Sequence, residues 1–233
     1  MMVKQVGILG AGQMGGGIAH VCALAGIKVA LYDTAAGATT AALGVIEKNL
    51  ARQQAKNTIS PKQAQDALAH ITPFSNIRPW PAACDFVIEA VVEDITVKHA
   101  LYREIEPQLR DDAILASNTS SYSIGKLASV CALPSRFIGM HFMNPVPLMP
   151  LVEIIAGAKT ADAVLHRTEN LAATLGKQTV RATDQPGFIT NRVLLPLINE
   201  AVWALHTKIG NVEDIDRAMI LGMNHPMGPL TLA

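Results

Sequence analysis

The run Val6-Gly7-Ile8-Leu9-Gly10-Ala11-Gly12-Gln13-Met14-Gly15 sets a G-x-G-x-x-G spacing directly behind an apolar stretch and in front of a helical pattern. Each glycine in that spacing has a use against a phosphate-bearing ligand. Gly10 permits a tight turn, Gly12 lets a pyrophosphate approach backbone N–H groups, and Gly15 lets the helix pack on the strand. The unpaired amides of the helix start, at Gln13 and Met14, then face the phosphates. Roughly 20 residues further on, a second apolar run, Lys28 to Tyr32, ends in Asp33, whose carboxylate can accept both hydroxyls of an adenosine ribose. Such a carboxylate repels a 2′-phosphate, and Thr34-Ala35-Ala36-Gly37 offers no Arg to attract one, so NAD is favoured over NADP. Two alternatives stay open: Asp33 as the cap of the next helix, and an FAD-binding unit, which shares this fingerprint.

Two further polar clusters sit where strands should end, which is where doubly wound sheets hold ligands. One is Ser117-Asn118-Thr119-Ser120-Ser121, which alone reads as a hydroxyl-rich turn. The other is Met140-His141-Phe142-Met143-Asn144-Pro145-Val146-Pro147, followed by Leu151-Val152-Glu153-Ile154-Ile155. A carboxylate flanked by four aliphatic residues is costly to bury without a partner. His141 can supply one, while Glu153 raises its basicity and selects its tautomer. A His-Glu dyad of this kind suits removal of a hydroxyl proton as hydride leaves the same carbon. No cluster of His, Cys and Asp suggests a metal.

The elements around these residues alternate short aliphatic runs with helical patterns through residue 185, the signal for a parallel sheet covered on both faces. Strands are expected at Lys4 to Leu9, Lys28 to Tyr32, Asp85 to Glu89, Ala113 to Ala116, Phe137 to Met140, Leu151 to Ile155 and Gln178 to Ala182. Helices are expected at Gly15 to Leu24, Ala35 to Gln54, after Ser60-Pro61, at Thr96 to Leu109 and at Ala161 to Leu175. After Asp184-Gln185-Pro186-Gly187 only helical patterns follow, Ile189 to Lys208 with a kink at Pro196, then Val212 to Leu221. The reading is a Rossmann-type doubly wound α/β domain over 1–185 and the start of an all-helical C-terminal domain over 186–233.

Composition narrows the function classes. Of 233 residues, 50% are hydrophobic and only 16% charged, so disorder is excluded, and the 19 basic and 19 acidic residues balance, which argues against nucleic acid as a partner. No charged residue stands between Lys4 and Lys28, but the glycines there argue against a membrane span. Three cysteines, Cys22, Cys84 and Cys131, lack metal-ligand spacing and read as buried thiols of a reducing compartment, which implies a cytoplasmic location.

Taken in order, Val6 to Gly15, Val87-Ile88-Glu89-Ala90-Val91-Val92-Glu93-Asp94, Ser117 to Ser121, His141 to Pro147, Leu151-Val152-Glu153 and Pro186-Gly187-Phe188-Ile189-Thr190-Asn191-Arg192 resemble the 3-hydroxyacyl-CoA dehydrogenases, including the 3-hydroxybutyryl-CoA enzymes of bacteria. The resemblance spans the chain and implies NAD-dependent interconversion of (S)-3-hydroxyacyl-CoA and 3-oxoacyl-CoA. It implies His141 as the base with Glu153 as its orienting partner. Ser120 and Asn191 would hold the substrate oxygen beside the nicotinamide, with Asn144 close by. Glu93 and Lys98 match positions on the ribose and phosphate side of the cofactor, and Asn49 and Lys56 fall where the family meets the CoA moiety. A homodimer through the C-terminal helices is implied as well.

The chain departs from the family at two places. Pro150 stands where many relatives carry Lys and resembles enzymes of free hydroxy acids such as gulonate or carnitine, which keeps that substrate class as an alternative. In the family, further helices follow the segment Asn224 to Ala233, so the chain reads as truncated in its C-terminal domain, and an NAD-binding fragment without turnover is the other alternative.

Overall fold

The computed structural model describes residues 3–81 and 83–233. The chain divides into two compact units, Met1–Gln185 and Pro186–Ala233. In the first, β1 (Gln5–Leu9), α1 (Gln13–Leu24), β2 (Lys28–Tyr32), α2 (Ala38–Ala55), α3 (Pro61–Ala69), β3 (Ile71–Phe74), β4 (Phe86–Glu89), α4 (Ile95–Ile105), β5 (Ile114–Ser117), α5 (Ile124–Ala128), β6 (Phe137–Phe142), β7 (Leu151–Ala156), α6 (Asp162–Thr174) and β8 (Gln178–Ala182) follow in sequence. The eight strands form one sheet in the order β3-β2-β1-β4-β5-β6-β7-β8. Consecutive residues Val6, Gly7, Ile8 and Leu9 of β1, and all of β4 and β5, are buried, as expected of parallel strands with helices on both faces. Each Ile or Leu in that position contributes about 2 kcal/mol of apolar burial.

The sheet is not parallel throughout, and this corrects the expectation from the sequence. β7 runs antiparallel to β6, and β8 runs parallel to β7. The physical reason lies in the connection: Met143 to Pro150 is too short for the crossover a parallel pair requires, so β7 must return alongside β6.

Two elements of the first unit escape the sequence pattern. β3 carries Pro73, which removes a ladder donor and disguises the strand, and β3 accordingly sits at the edge of the sheet. The five-residue α5 is held by a distant group, since Asp184 accepts from the Ile124 amide at 2.7 Å, the Gly125 amide at 2.8 Å and the Ser123 hydroxyl at 2.8 Å. Helix α2 begins at Ala38 rather than Ala35, with Gly37 at its N-cap in the left-handed region. Cys22 and Cys84 are buried, whereas Cys131 is only half-buried.

The second unit contains α7 (Thr190–His206), which continues through Pro196, α8 (Val212–Met223) and the short α9 (Pro229–Leu232). Asp216 on α8 accepts from the amides of Leu230 at 2.8 Å and Thr231 at 2.9 Å and from the Thr231 hydroxyl at 2.5 Å, which ties α9 to α8. Among the described residues no helix is long and apolar enough to cross a membrane.

Candidate active site

The turn after β1 is built for close approach. Gly10 has φ +102°, and a Cβ there would lie 2.5 Å from the Ala90 carbonyl oxygen. At Gly15 a Cβ would meet the Gly10 carbonyl oxygen at 1.8 Å, so the helix packs on the turn only without a side chain. Gly12 differs, because a Cβ there would meet nothing within 4 Å. It is the N-cap of α1 and supplies no side-chain cap, which leaves the first-turn amides for an incoming anion.

Asp33, at the end of β2, closes this turn. Its Oδ2 accepts from the Ala11 amide at 2.7 Å and its Oδ1 from the Ala35 amide at 2.8 Å. With Gly37 as N-cap of α2, Asp33 is not that helix's cap. Gly10, Gly12, Gln13, Met14, Tyr32 and Asp33 line a cavity of about 610 Å³ together with one face of α4 from Val97 to Glu104. The open ground at Gly12, the uncapped helix and the carboxylate at the far end fit NAD.

His141 and Glu153 face each other across β6 and β7, in direct register. His141 Nδ1 lies 2.8 Å from Glu153 Oε2, with Glu153 fully buried and His141 7% exposed. The loop that follows is anchored on several sides. Asn118 Oδ1 accepts from the Phe142 amide at 2.9 Å, Gln13 Nε2 donates to Asn144 Oδ1 at 3.1 Å, and Lys177 Nζ donates to the carbonyls of Val146 at 2.5 Å and Met149 at 2.8 Å. Burial lowers the pKa of Lys177 below the ordinary lysine value. Gly12, Gly16, Gly17, Asn49, Asn144 and Val146 border a second cavity of about 430 Å³. Lys56 is exposed at the C-cap of α2, outside the residues that line this cavity.

Glu93 gathers the hydroxyl-rich turn. Its Oε1 accepts from the Thr119 hydroxyl at 2.5 Å, the Ser121 hydroxyl at 2.9 Å and the Ser120 amide at 3.2 Å. Burial pushes its pKa up, but the Thr119 hydrogen bond and the Lys98 charge outweigh it and hold the carboxyl below its ordinary value. Lys98 is itself buried at 1% exposure, with Nζ 2.6 Å from Glu89 Oε1 and 3.1 Å from Glu93 Oε2. Sequence reasoning gave no role to Glu89, Thr119, Ser121 or Lys177, although Thr119 and Ser121 lie in the hydroxyl-rich cluster it singled out. Glu89 had a signal in its favour, a lone carboxylate inside Val87-Ile88-Glu89-Ala90-Val91-Val92. Asn191 belongs to the second unit, in the first turn of α7.

The model of the 3-hydroxyacyl-CoA dehydrogenase NAD-binding domain matches residues 5–185, and that of the same family's C-terminal domain matches residues 187–233. The chain belongs to the 3-hydroxyacyl-CoA dehydrogenase family. It is therefore an NAD-dependent oxidoreductase of Rossmann type, as the resemblance implied, with the glycine turn and Asp33 pointing to the dinucleotide. A 3-hydroxybutyryl-CoA dehydrogenase of Bradyrhizobium diazoefficiens is 49% identical over 232 residues, covering 100% of this chain and 79% of the relative. A probable 3-hydroxybutyryl-CoA dehydrogenase of Bacillus subtilis is 43% identical, covering 100% and 81%. Among solved structures, the (S)-3-hydroxybutyryl-CoA dehydrogenase of Ralstonia eutropha superposes with a TM-score of 0.96 at 41% identity, over 100% of this chain and 82% of that one.

Proposed function

We propose that this 3-hydroxyacyl-CoA dehydrogenase interconverts (S)-3-hydroxybutyryl-CoA and acetoacetyl-CoA, with His141 as general base and Glu153 as its orienting partner. The single observation that carries the reading is the 2.8 Å contact from His141 Nδ1 to Glu153 Oε2. With Nδ1 committed to the carboxylate, Nε2 is the ring nitrogen that takes the proton of the 3-hydroxyl, and the adjacent negative charge stabilises the imidazolium that forms. NAD, when bound, supplies the two-electron acceptor for the hydride that leaves C3. Ser120 hydrogen-bonds the substrate oxygen and orients C3, and in the reverse direction His141 returns the proton. Gly10, Gly12, Gly15 and the amides of Gln13 and Met14 hold the pyrophosphate, Asp33 the adenosine ribose, Glu93 the ribose and phosphate side of the cofactor, and Asn144 the nicotinamide side. Asn49 and Lys56 are assigned to CoA, Asn49 on the strength of its place in the second cavity.

The test is NADH formation from (S)-3-hydroxybutyryl-CoA. His141→Gln should reduce kcat by roughly 10²- to 10⁴-fold with little change in NADH affinity, and wild-type turnover in that variant overturns the assignment. Pro150 favours a second reading, a free hydroxy acid as substrate, and lack of inhibition by free CoA would support it. Exposed Val193, Leu195, Trp203, Ile209, Leu221 and Met223 on or beside α7 and α8 support self-association through the C-terminal helices, measurable by light scattering. The free thiols support a cytoplasmic setting.

A further inference from the structure

Glu89 is fully buried, and no step above uses it. Its two oxygens nevertheless collect four donors. Oε1 accepts from Lys98 Nζ at 2.6 Å and the Val91 amide at 2.8 Å, and Oε2 from the Tyr102 hydroxyl at 2.5 Å and the Ser117 hydroxyl at 2.7 Å. These groups come from the end of β4, the end of β5 and one face of α4, where Lys98 and Tyr102 stand four residues apart. Removing a carboxylate and an ammonium from water gains little stability against a well-packed apolar pair. The arrangement does constrain geometry, because Lys98 bridges Glu89 to Glu93, and Glu93 in turn accepts from Thr119, Ser121 and the Ser120 amide.

We infer that Glu89 and Lys98 are positioning residues that act on the reaction through Glu93 and Ser120, and that the Lys98 charge is satisfied inside the protein instead of pairing with cofactor phosphate. The second part departs from what the family resemblance implies for Lys98, and the 1% exposure of that side chain argues for the departure. One ammonium against two carboxylates leaves one net negative charge, and it resides at Glu93, the exposed end of the chain of contacts, whose side chain is 37% accessible. The first part rests on the reading of Ser120 as a ligand of the substrate oxygen; the second does not.

Lys98→Met, Glu89→Gln and the double variant, all in the full chain, test both parts. NADH binding is followed by fluorescence at rising ionic strength. The inference expects the salt dependence of the double variant, which keeps the net charge of the cluster at minus one, to match wild type, since a charge satisfied by buried carboxylates makes no contact with the ligand. A flatter dependence with weaker binding at low salt would mark a direct phosphate contact and overturn the second part. In turnover, each single variant should lose roughly tenfold or more in kcat from misplaced Ser120, with a smaller rise in KM for NAD through the displaced Glu93. The double variant, which removes the buried pair together and so keeps the fold where Lys98→Met alone unsettles it, should lose no more than the worse single variant. Unchanged kcat, or losses that multiply, overturn the first part. If wild type turns over no 3-hydroxyacyl-CoA, the proposed substrate fails, and the salt dependence of NADH binding still decides the placement of the Lys98 charge.

Discussion

Glu153 Oε2 lies 2.8 Å from His141 Nδ1, across two strands that run in opposite directions and pair these residues in register. The carboxylate is buried completely, so its charge acts on the imidazole with little screening from water. Glu153→Gln keeps the shape of the side chain and removes that charge. It should reduce kcat by roughly 10²-fold or more while NADH affinity stays near wild type. Steady-state kinetics with an independent NADH titration checks it, and an unchanged kcat would remove the carboxylate from the mechanism.

Gly12 separates the demands of the ligand from those of the fold. A Cβ there meets no protein atom within 4 Å, so Gly12→Ala should alter stability by no more than about 0.5 kcal/mol. The same methyl stands where the pyrophosphate must approach, and NADH affinity should fall by roughly tenfold or more. Gly10→Ala makes the contrast, because φ of +102° and a 2.5 Å approach to the Ala90 oxygen strain the fold itself. It should cost at least about 1–3 kcal/mol. Thermal melts with and without NADH distinguish the two effects.

Burial pushes the Cys22, Cys84 and Cys131 thiols up to about 12. All three therefore remain protonated at neutral pH and are weak nucleophiles. Native protein should react with iodoacetamide far more slowly than a free thiol, and denaturant should release three equivalents. Intact mass after timed quenching reads the outcome; rapid native labelling of Cys22 or Cys84 would contradict it.

Glu93 should contribute an acid limb to stability. Its carboxyl is held below the ordinary value in the folded state: burial opposes ionisation, but the Thr119 hydroxyl and the Lys98 ammonium prevail. A depressed folded pKa gives a contribution that is present above the ordinary carboxylate value and lost as pH falls through the folded one. Glu93→Gln should thus melt below wild type at neutral pH, with the two curves converging in acid. Melting temperatures across pH test this, and a constant gap between the curves would assign the effect elsewhere.

Asp184 makes a purely structural prediction. It accepts three hydrogen bonds from the start of α5, and Asp184→Ala leaves two amides and a hydroxyl without that acceptor. A loss of roughly 1–3 kcal/mol is expected, measured by denaturant unfolding.

The glycine turn and Asp33 were legible in the sequence because their causes are local. A positive φ at Gly10 and the missing Cβ at Gly15 are demanded within a few residues of chain, and the aliphatic runs of β1, β4 and β5 follow from burial on both faces. The burial cost of Glu153 also pointed to a partner, with His141 as the candidate. What the sequence did not determine was the register of β7 against β6. The short loop after Phe142 dictates an antiparallel return, but only the folded sheet fixes the register that sets Glu153 opposite His141. The same holds for Glu89 and Lys98, whose charges read as a strand end and a helix face until β4, β5 and α4 enclose them. Backbone strain is written in neighbouring residues, whereas the pairing of buried charges depends on which strands lie side by side, and that is a property of the whole sheet.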